Sequence, residues 1–425
     1  MDKTHSAFLK LLRAVVQETK PEDPCLTCTE WEELFQFAEC HKLLPLTLDA
    51  ACTLPSCRAA ISGSPERREG PDTSRSGSAS RNWRELALEQ VARQAIQENE
   101  FLNLMLALRE RGLSPLVLKG PVCRMLYPKP LLRPSVDDDL LIPDDQAAAC
   151  RAALLELGLT ADRPDEDPES AYEQSFHKLG TPLYIELHKR LFDPDSPVFE
   201  AYNGFFEGAL ERAVPIRLQD LSLQTLAPAD HLLFLLLHAF KHFLYSGFGL
   251  RIVTDVCLYT WRYGEEIDFS RLLEVCAGLR CERFAAALYR IGEKYLDLPI
   301  PEPFASLDVD ESALLEDVLE AGLVGAEIDR LHSANITLGA VADSRNGAAR
   351  AGGLRRTLFP GAKQLSGRYP YLAKRPWLLP AAWVGRTAAY LKERGRYGEQ
   401  SPAASLRIGK ERVRLLEQYG VIDPE

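Results

Sequence analysis

Acidic residues crowd one short stretch of the chain, Arg133-Pro-Ser-Val-Asp137-Asp138-Asp139-Leu-Leu-Ile142. Successive side chains of a strand point to opposite faces, so Asp137 and Asp139 share a face if this segment is extended. The apolar Leu140, Leu141 and Ile142 that follow fit a strand running into a core. Two parallel carboxylates suit a hard divalent cation such as Mg²⁺ or Mn²⁺, which keeps open positions for water and phosphate oxygens. The same pattern beside a proline is also that of an exposed turn, so the neighbouring elements must decide.

Two further segments supply partners. Upstream, Leu116-Val-Leu-Lys119-Gly120-Pro121 reads as strand, tight turn and helical start. Gly120 would let a phosphate approach the backbone, a helix N-terminus would favour an anion, and Lys119 would add a mobile charge. Downstream, Leu183-Tyr-Ile185-Glu186-Leu187-His188 alternates apolar and polar residues, which puts Glu186 and His188 on one strand face. Glu186 is the expected third carboxylate, as metal ligand or as base. A helix over His231–His242 places His238 and His242 one turn apart, with Lys241 beside them. The next helix pairs Arg251 with Asp255 at the same spacing. Lys241, His242, Arg251, Asp255 and His188 are expected to line a substrate cleft.

The ordered series L-K-G, R-P-x-x-D-x-D-L-L, E-L-H, H-x-x-K-H and L-R-x-x-x-D resembles the bacterial uncharacterised nucleotidyltransferase family of the DNA polymerase β-like superfamily. Further matching segments are Leu358-Phe359-Pro360, Tyr369-Pro-Tyr-Leu-Ala-Lys-Arg-Pro376 and Leu379-Pro380, so the resemblance runs from about residue 85 onward. It implies Asp137, Asp139 and Glu186 as catalytic metal ligands. Lys119, Gly120 and Arg133 would then contact the nucleoside triphosphate co-substrate. The implied enzyme transfers a nucleotidyl group to an unidentified acceptor. Two residues depart from the superfamily pattern: Pro121 stands where a small hydroxyl residue or glycine is usual, removing donors, and Asp138 adds a third charge on the opposite strand face. Arg133 is the nearest candidate cation for Asp138. Pro121 keeps open a catalytically impaired nucleotide-binding or regulatory module, and the carboxylates would also serve a metal-dependent phosphohydrolase.

The chain has 425 residues, 46% of them hydrophobic, enough for substantial cores. The expected fold is α+β: a small mixed-sheet nucleotidyltransferase core flanked by N-terminal helices and a helical C-terminal region. The expected segments are N-terminal helices (1–60), a Ser/Gly/Arg/Pro-rich flexible loop (61–82), the α/β core (83–220), a helical unit (221–335) and a basic tail (336–425). A net charge of −11 and a pI near 5.4 argue against broad nucleic-acid binding. No apolar run is long enough to span a bilayer and the N-terminus lacks an apolar signal core. Ten scattered cysteines fit a reducing cytoplasm, and the lone Cys25-Leu-Thr-Cys28 falls short of a zinc site.

Overall fold

Five short strands carry the acidic segment and its partners: β1 (Leu116–Val117), β2 (Asp138–Leu141), β3 (Leu159–Ala161), β4 (Glu173–Lys178) and β5 (Tyr184–His188). They form one mixed sheet in the order β1-β2-β5-β4-β3. The computed structural model describes residues 1–62, 82–321, 326–345, 361, 369, 371–385 and 402–423. Most of the expected flexible loop, the Leu358-Phe359-Pro360 match and nearly half of the basic tail lie outside the described residues.

The β2–β5 pair is parallel and the other three pairs are antiparallel. A parallel pair needs a long crossover, and here it is made by helix Asp144–Glu156 together with β3 and β4. The parallel register sets Asp139 opposite Glu186 and Leu141 opposite His188. On the other side of β5, Ser175 faces Glu186 and Glu173 faces His188. Alternation then sends Ile185 and Leu187 into the apolar layer, where both are buried.

Four N-terminal helices, α1 (Lys3–Val16), α2 (Cys28–Cys40), α3 (Leu44–Ala51) and α4 (Pro55–Ser62), precede the long α5 (Trp83–Glu110). Helix α2 opens on a capping box between Thr27 and Glu30. A short α6 (Lys119–Arg124) follows β1 directly, with Leu118 as its N-cap. The crossover helix is α7 (Asp144–Glu156). After the sheet, a hairpin of β6 (Val214–Leu218) and β7 (Leu221–Thr225) alternates exposed and buried residues. It is tied back to β1 by Thr225 Oγ1, which donates to the Val117 carbonyl at 2.6 Å.

Helices α8 (Pro228–Tyr245) and α9 (Leu250–Tyr263) come next; α8 begins with a proline at its first position and is buried almost all round from His231 to Leu237. The remaining described helices are α10 (Phe269–Gly278), α11 (Glu282–Leu296), α12 (Glu302–Ala305), α13 (Ser312–Ala321), α14 (Ala326–Arg345), α15 (Tyr371–Lys374) and α16 (Pro402–Gln418). One apolar cluster reaches from Ala7 through the sheet to Ile422, so the N-terminal helices and the sheet share an interior. The architecture is α+β with small sheets, as the sequence implies. No helix among the described residues is long and apolar enough to cross a membrane.

Candidate active site

Strand β2 starts at Asp138, so Asp137 stands on its approach and not within it. Asp139 is 1% exposed at its side chain and meets two polar side chains, Lys119 and His188. Lys119 Nζ lies 3.0 Å from its Oδ1 and 3.8 Å from Asp137 Oδ2, which bridges the two aspartates through one ammonium. His188 Nε2 lies 3.2 Å from the same Asp139 oxygen and 3.8 Å from Glu186 Oε2, while His188 Nδ1 is 3.6 Å from Glu173 Oε2. One ligand atom each from Asp139, Glu186 and His188 fall within 4.8 Å of one another, a spacing open to a shared cation. Asp137 joins this group only through Lys119.

The electrostatics follow from burial and these contacts. Burial disfavours the Asp139 charge, but Lys119 and His188 outweigh it and hold the carboxyl well below the ordinary range. Glu186 goes the other way: burial, then the Asp139 charge, push it up to about 7. Lys119 stays firmly protonated, because Asp139, Asp137 and Glu186 more than offset its desolvation. Asp139 Oδ2 and His188 Nδ1 are buried and have no hydrogen-bond partner. Buried polar atoms are rarely left so, and these two atoms are a measure of what the cluster lacks.

A Cβ on Gly120 would come within 3.0 Å of the Asp137 carbonyl and 3.2 Å of Asp138 Oδ1. The glycine is required by the close approach of α6 to the Asp137–Asp138 segment. Pro121 costs the helix nothing, since it sits in the first turn, where backbone N–H groups have no helical acceptor.

Asp138 and Arg133, expected to pair, do not. Asp138 faces away from the cluster and is fully buried, 3.0 Å from Gln97 Nε2 and 3.7 Å from Arg124 Nη1. Its cation is Arg124, whose spacing on α6 carries it to the buried side, and not Arg133. Burial pushes Asp138 up to about 6, with Arg124 and Gln97 pulling back. Arg133 is committed to a different carboxylate. It is 4% exposed and forks onto Asp255, Nη2 at 2.5 Å and Nε at 3.1 Å. Tyr127 donates to the same Asp255 at 2.8 Å. The ion pair of Asp255 is therefore with Arg133, 122 residues away, and not with Arg251 on its own helix. Arg251 instead donates to the Pro134 carbonyl at 2.5 Å.

These contacts converge on the loop before Asp137. Ser135 Oγ accepts from Arg133 Nη1 at 2.8 Å and Arg124 Nη1 at 3.0 Å, and its backbone N–H donates to Gln94 Oε1 at 2.6 Å. Gln94, Gln97, Arg124 and Ser135 were invisible to pattern reading. A polar residue on the buried side of a long helix, such as Gln94 or Gln97, is the one sequence signal that marks such a clamp.

On α8, His238 Nε2 lies 3.0 Å from His242 Nε2 and 3.5 Å from Lys119 Nζ. Lysine only donates, so His238 Nε2 accepts and His242 supplies the N–H. Burial, then Lys119, pull His238 down, and His242 is pulled down to about 3. Both imidazoles are neutral. Lys241 is half-buried on the same helix and does not line the adjoining cavity. That cavity, of about 390 Å³, is bounded by Lys119, Gly120, Asp137, His238, His242 and Arg251, among others.

The comparisons with known proteins bear on this arrangement. No curated protein and no solved structure matches the chain significantly. A family profile, described as uncharacterised nucleotidyltransferase, matches residues 27–297. The match starts within the N-terminal helices and stops at the end of α11, short of the C-terminal motifs. It covers well over half of the 425 residues and contains every charged group of the site. This chain therefore belongs to the uncharacterised nucleotidyltransferase family.

Proposed function

We propose that this protein is a metal-dependent nucleotidyltransferase that moves a nucleoside monophosphate from a nucleoside triphosphate to a hydroxyl or amine of a small molecule, peptide or protein. The observation that carries the reading is the convergence of Asp139, Glu186 and His188 ligand atoms within 4.8 Å, with Asp137 drawn in by Lys119. The unpartnered Asp139 Oδ2 and the raised Glu186 carboxyl both suit a site that gains from a cation. Asp137, Asp139 and Glu186 would hold Mg²⁺ or Mn²⁺, with His188 favouring the latter. A bound divalent ion would supply Lewis-acid stabilisation of phosphoryl oxygens and acidify an acceptor hydroxyl.

The residues of the chain do the rest. Among the described residues Lys119 is the ammonium at the carboxylates, and it would shift from Asp139 towards incoming phosphate, adding positive charge where negative charge grows. His238, by accepting from Lys119, would hold that ammonium at the cavity side. The acceptor oxygen or nitrogen bonds to the α-phosphorus, the bond to the bridging oxygen breaks, and pyrophosphate leaves with that electron pair. The acceptor proton passes to solvent, or to Glu186 where that carboxyl, pushed up to about 7, is not holding the ion. Among the described residues the ten cysteines form no disulfide, which supports a cytoplasmic setting.

One observation favours a second reading: Lys119 already neutralises Asp137 and Asp139, as it would in a nucleotide-binding module without turnover. Incubation with each nucleoside triphosphate, Mg²⁺ or Mn²⁺ and candidate acceptors separates the cases. Pyrophosphate and a nucleotidylated product, lost in Asp137→Asn with Asp139→Asn, support transfer. Inorganic phosphate would indicate a phosphohydrolase, and nucleotide binding with no product the inactive module.

A further inference from the structure

The cavity beside the carboxylates is built partly by the N-terminal helices. Its lining includes Cys40, His41 and Lys42 at the end of α2, together with Gly249, Arg251 and Ile252 of α9 and its approach. His41 fixes this junction: its Nδ1 accepts from the Leu250 N–H at 3.2 Å, at the start of α9. A Cβ on Gly249 would lie 2.9 Å from that same Nδ1, so the two segments touch only because residue 249 has no side chain. The His41 ring is itself held against Phe37 at 4.3 Å. Lys42 is the next residue, exposed at the cavity.

The charge of the cavity is opposite to that of the protein. Lys42, Lys119, Arg133 and Arg251 face Asp137 and Asp255, in a chain whose net charge is −11. Lys119, Gly120 and Asp137 line it, whereas Asp139, Glu186 and His188 do not. It therefore reaches the carboxylates at Asp137 and Lys119, away from Glu186. Leu235, Phe248, Ile252 and Val256 add an apolar wall. A volume of about 390 Å³ falls in the range of small-molecule sites, roughly 300–1,000 Å³.

We propose that this cavity binds the nucleoside triphosphate, and that Lys42 of the N-terminal helices contacts the nucleotide and helps select it. The inference rests on the transferase reading and adds to it the place of the donor and a role for the N-terminal segment. A lysine only donates hydrogen bonds, so Lys42 would read acceptor atoms on the base, ribose or phosphates. Arg251 and Lys119 supply the remaining positive charge.

The backbone offers a clean test. Lys42 has φ +55 at the α2 terminus, where its N–H bonds the Glu39 carbonyl and the Leu43 N–H bonds the Ala38 carbonyl. Glycine is the preferred residue in that conformation, so Lys42→Gly removes the side chain without straining the turn. Binding of the four α,β-methylene nucleoside triphosphates, which cannot transfer a monophosphate, is measured with Mg²⁺ by calorimetry on the full chain. The expected result is a loss of at least about tenfold in affinity for the best nucleotide in Lys42→Gly, with an unchanged or raised melting temperature and retention by Lys42→Arg. Equal affinity in wild type and Lys42→Gly would overturn the Lys42 assignment while leaving the transferase reading intact. Failure of the wild-type protein to bind any of the four would sink both.

Discussion

Two ionic clusters adjoin the Asp137–Asp139 segment, one around Asp255 and one around Asp139, and they are finished to different degrees. Around Asp255, every strong partner is in place: Arg133 forks onto it, Tyr127 donates to it, and Ser135 ties the same arginine to the loop. Around Asp139, Glu186 is pushed up to about 7 and two buried atoms, Asp139 Oδ2 and His188 Nδ1, have no hydrogen-bond partner. Residue types alone do not distinguish the clusters. What separates them is completeness, since a closed network stabilises a geometry while an open one is poised to take up charge.

The sharpest way to break the contrast is Asp139→Asn. It should lower product formation by about a thousandfold or more in a pyrophosphate-release assay, with the melting temperature held. A large loss of stability with activity preserved would reverse the roles of the clusters. Asp255→Ala should do the opposite. It strands the buried Arg133 charge and should cost about 3–5 kcal/mol of unfolding free energy, read by urea denaturation, while molecules still folded keep their metal affinity.

Lys119→Met sharpens the choice between enzyme and inactive module. If Lys119 serves phosphate, turnover should fall by about a hundredfold; a rise would show that the ammonium blocks the carboxylates. A smaller effect is expected from pH. The Glu186 carboxyl is raised from 4.5 to about 7, so its favourable contribution to folding is complete below pH 4.5 and is lost as pH climbs through 7. An ion that needs the charged carboxylate gains over the same interval. The thermal shift produced by Mn²⁺ should therefore be small at pH 5.5 and larger at pH 8, and equal shifts would remove Glu186 from the ligand set. The smallest change should come from Ser135→Ala, about 1 kcal/mol of stability and a weaker grip on the Asp137 loop, visible as a raised KM.

The chemistry was more legible in the sequence than its support. Alternation predicted that Glu186 and His188 share a face, and both reach the Asp139 cluster. Helical spacing likewise aligned His238 with His242. Such readings work because one strand or helix sets the geometry of its own side chains. Partner choice across the fold has no such local signal: Arg133 finds Asp255, and Arg124 finds Asp138, through tertiary packing. The Arg251–Asp255 spacing was a true helical neighbourhood, but the fork of Arg133 competes better for a buried carboxylate. The three-residue β3 and the β6–β7 hairpin were too short or too polar to stand out. The N-terminal helices were readable as helices, yet His41 docking on α9 depends on a glycine more than two hundred residues away.

The side-by-side alignment of β2 and β5 has a consequence for quality control. Sliding β5 by a single residue would set Ile185 or Leu187 beside Asp139 and turn Glu186 into the oily layer. A misaligned molecule would thus be defective as a catalyst and unsound as a folded body at once. Selection for turnover would then also purge chains that zip up wrongly, with no separate proofreading device required.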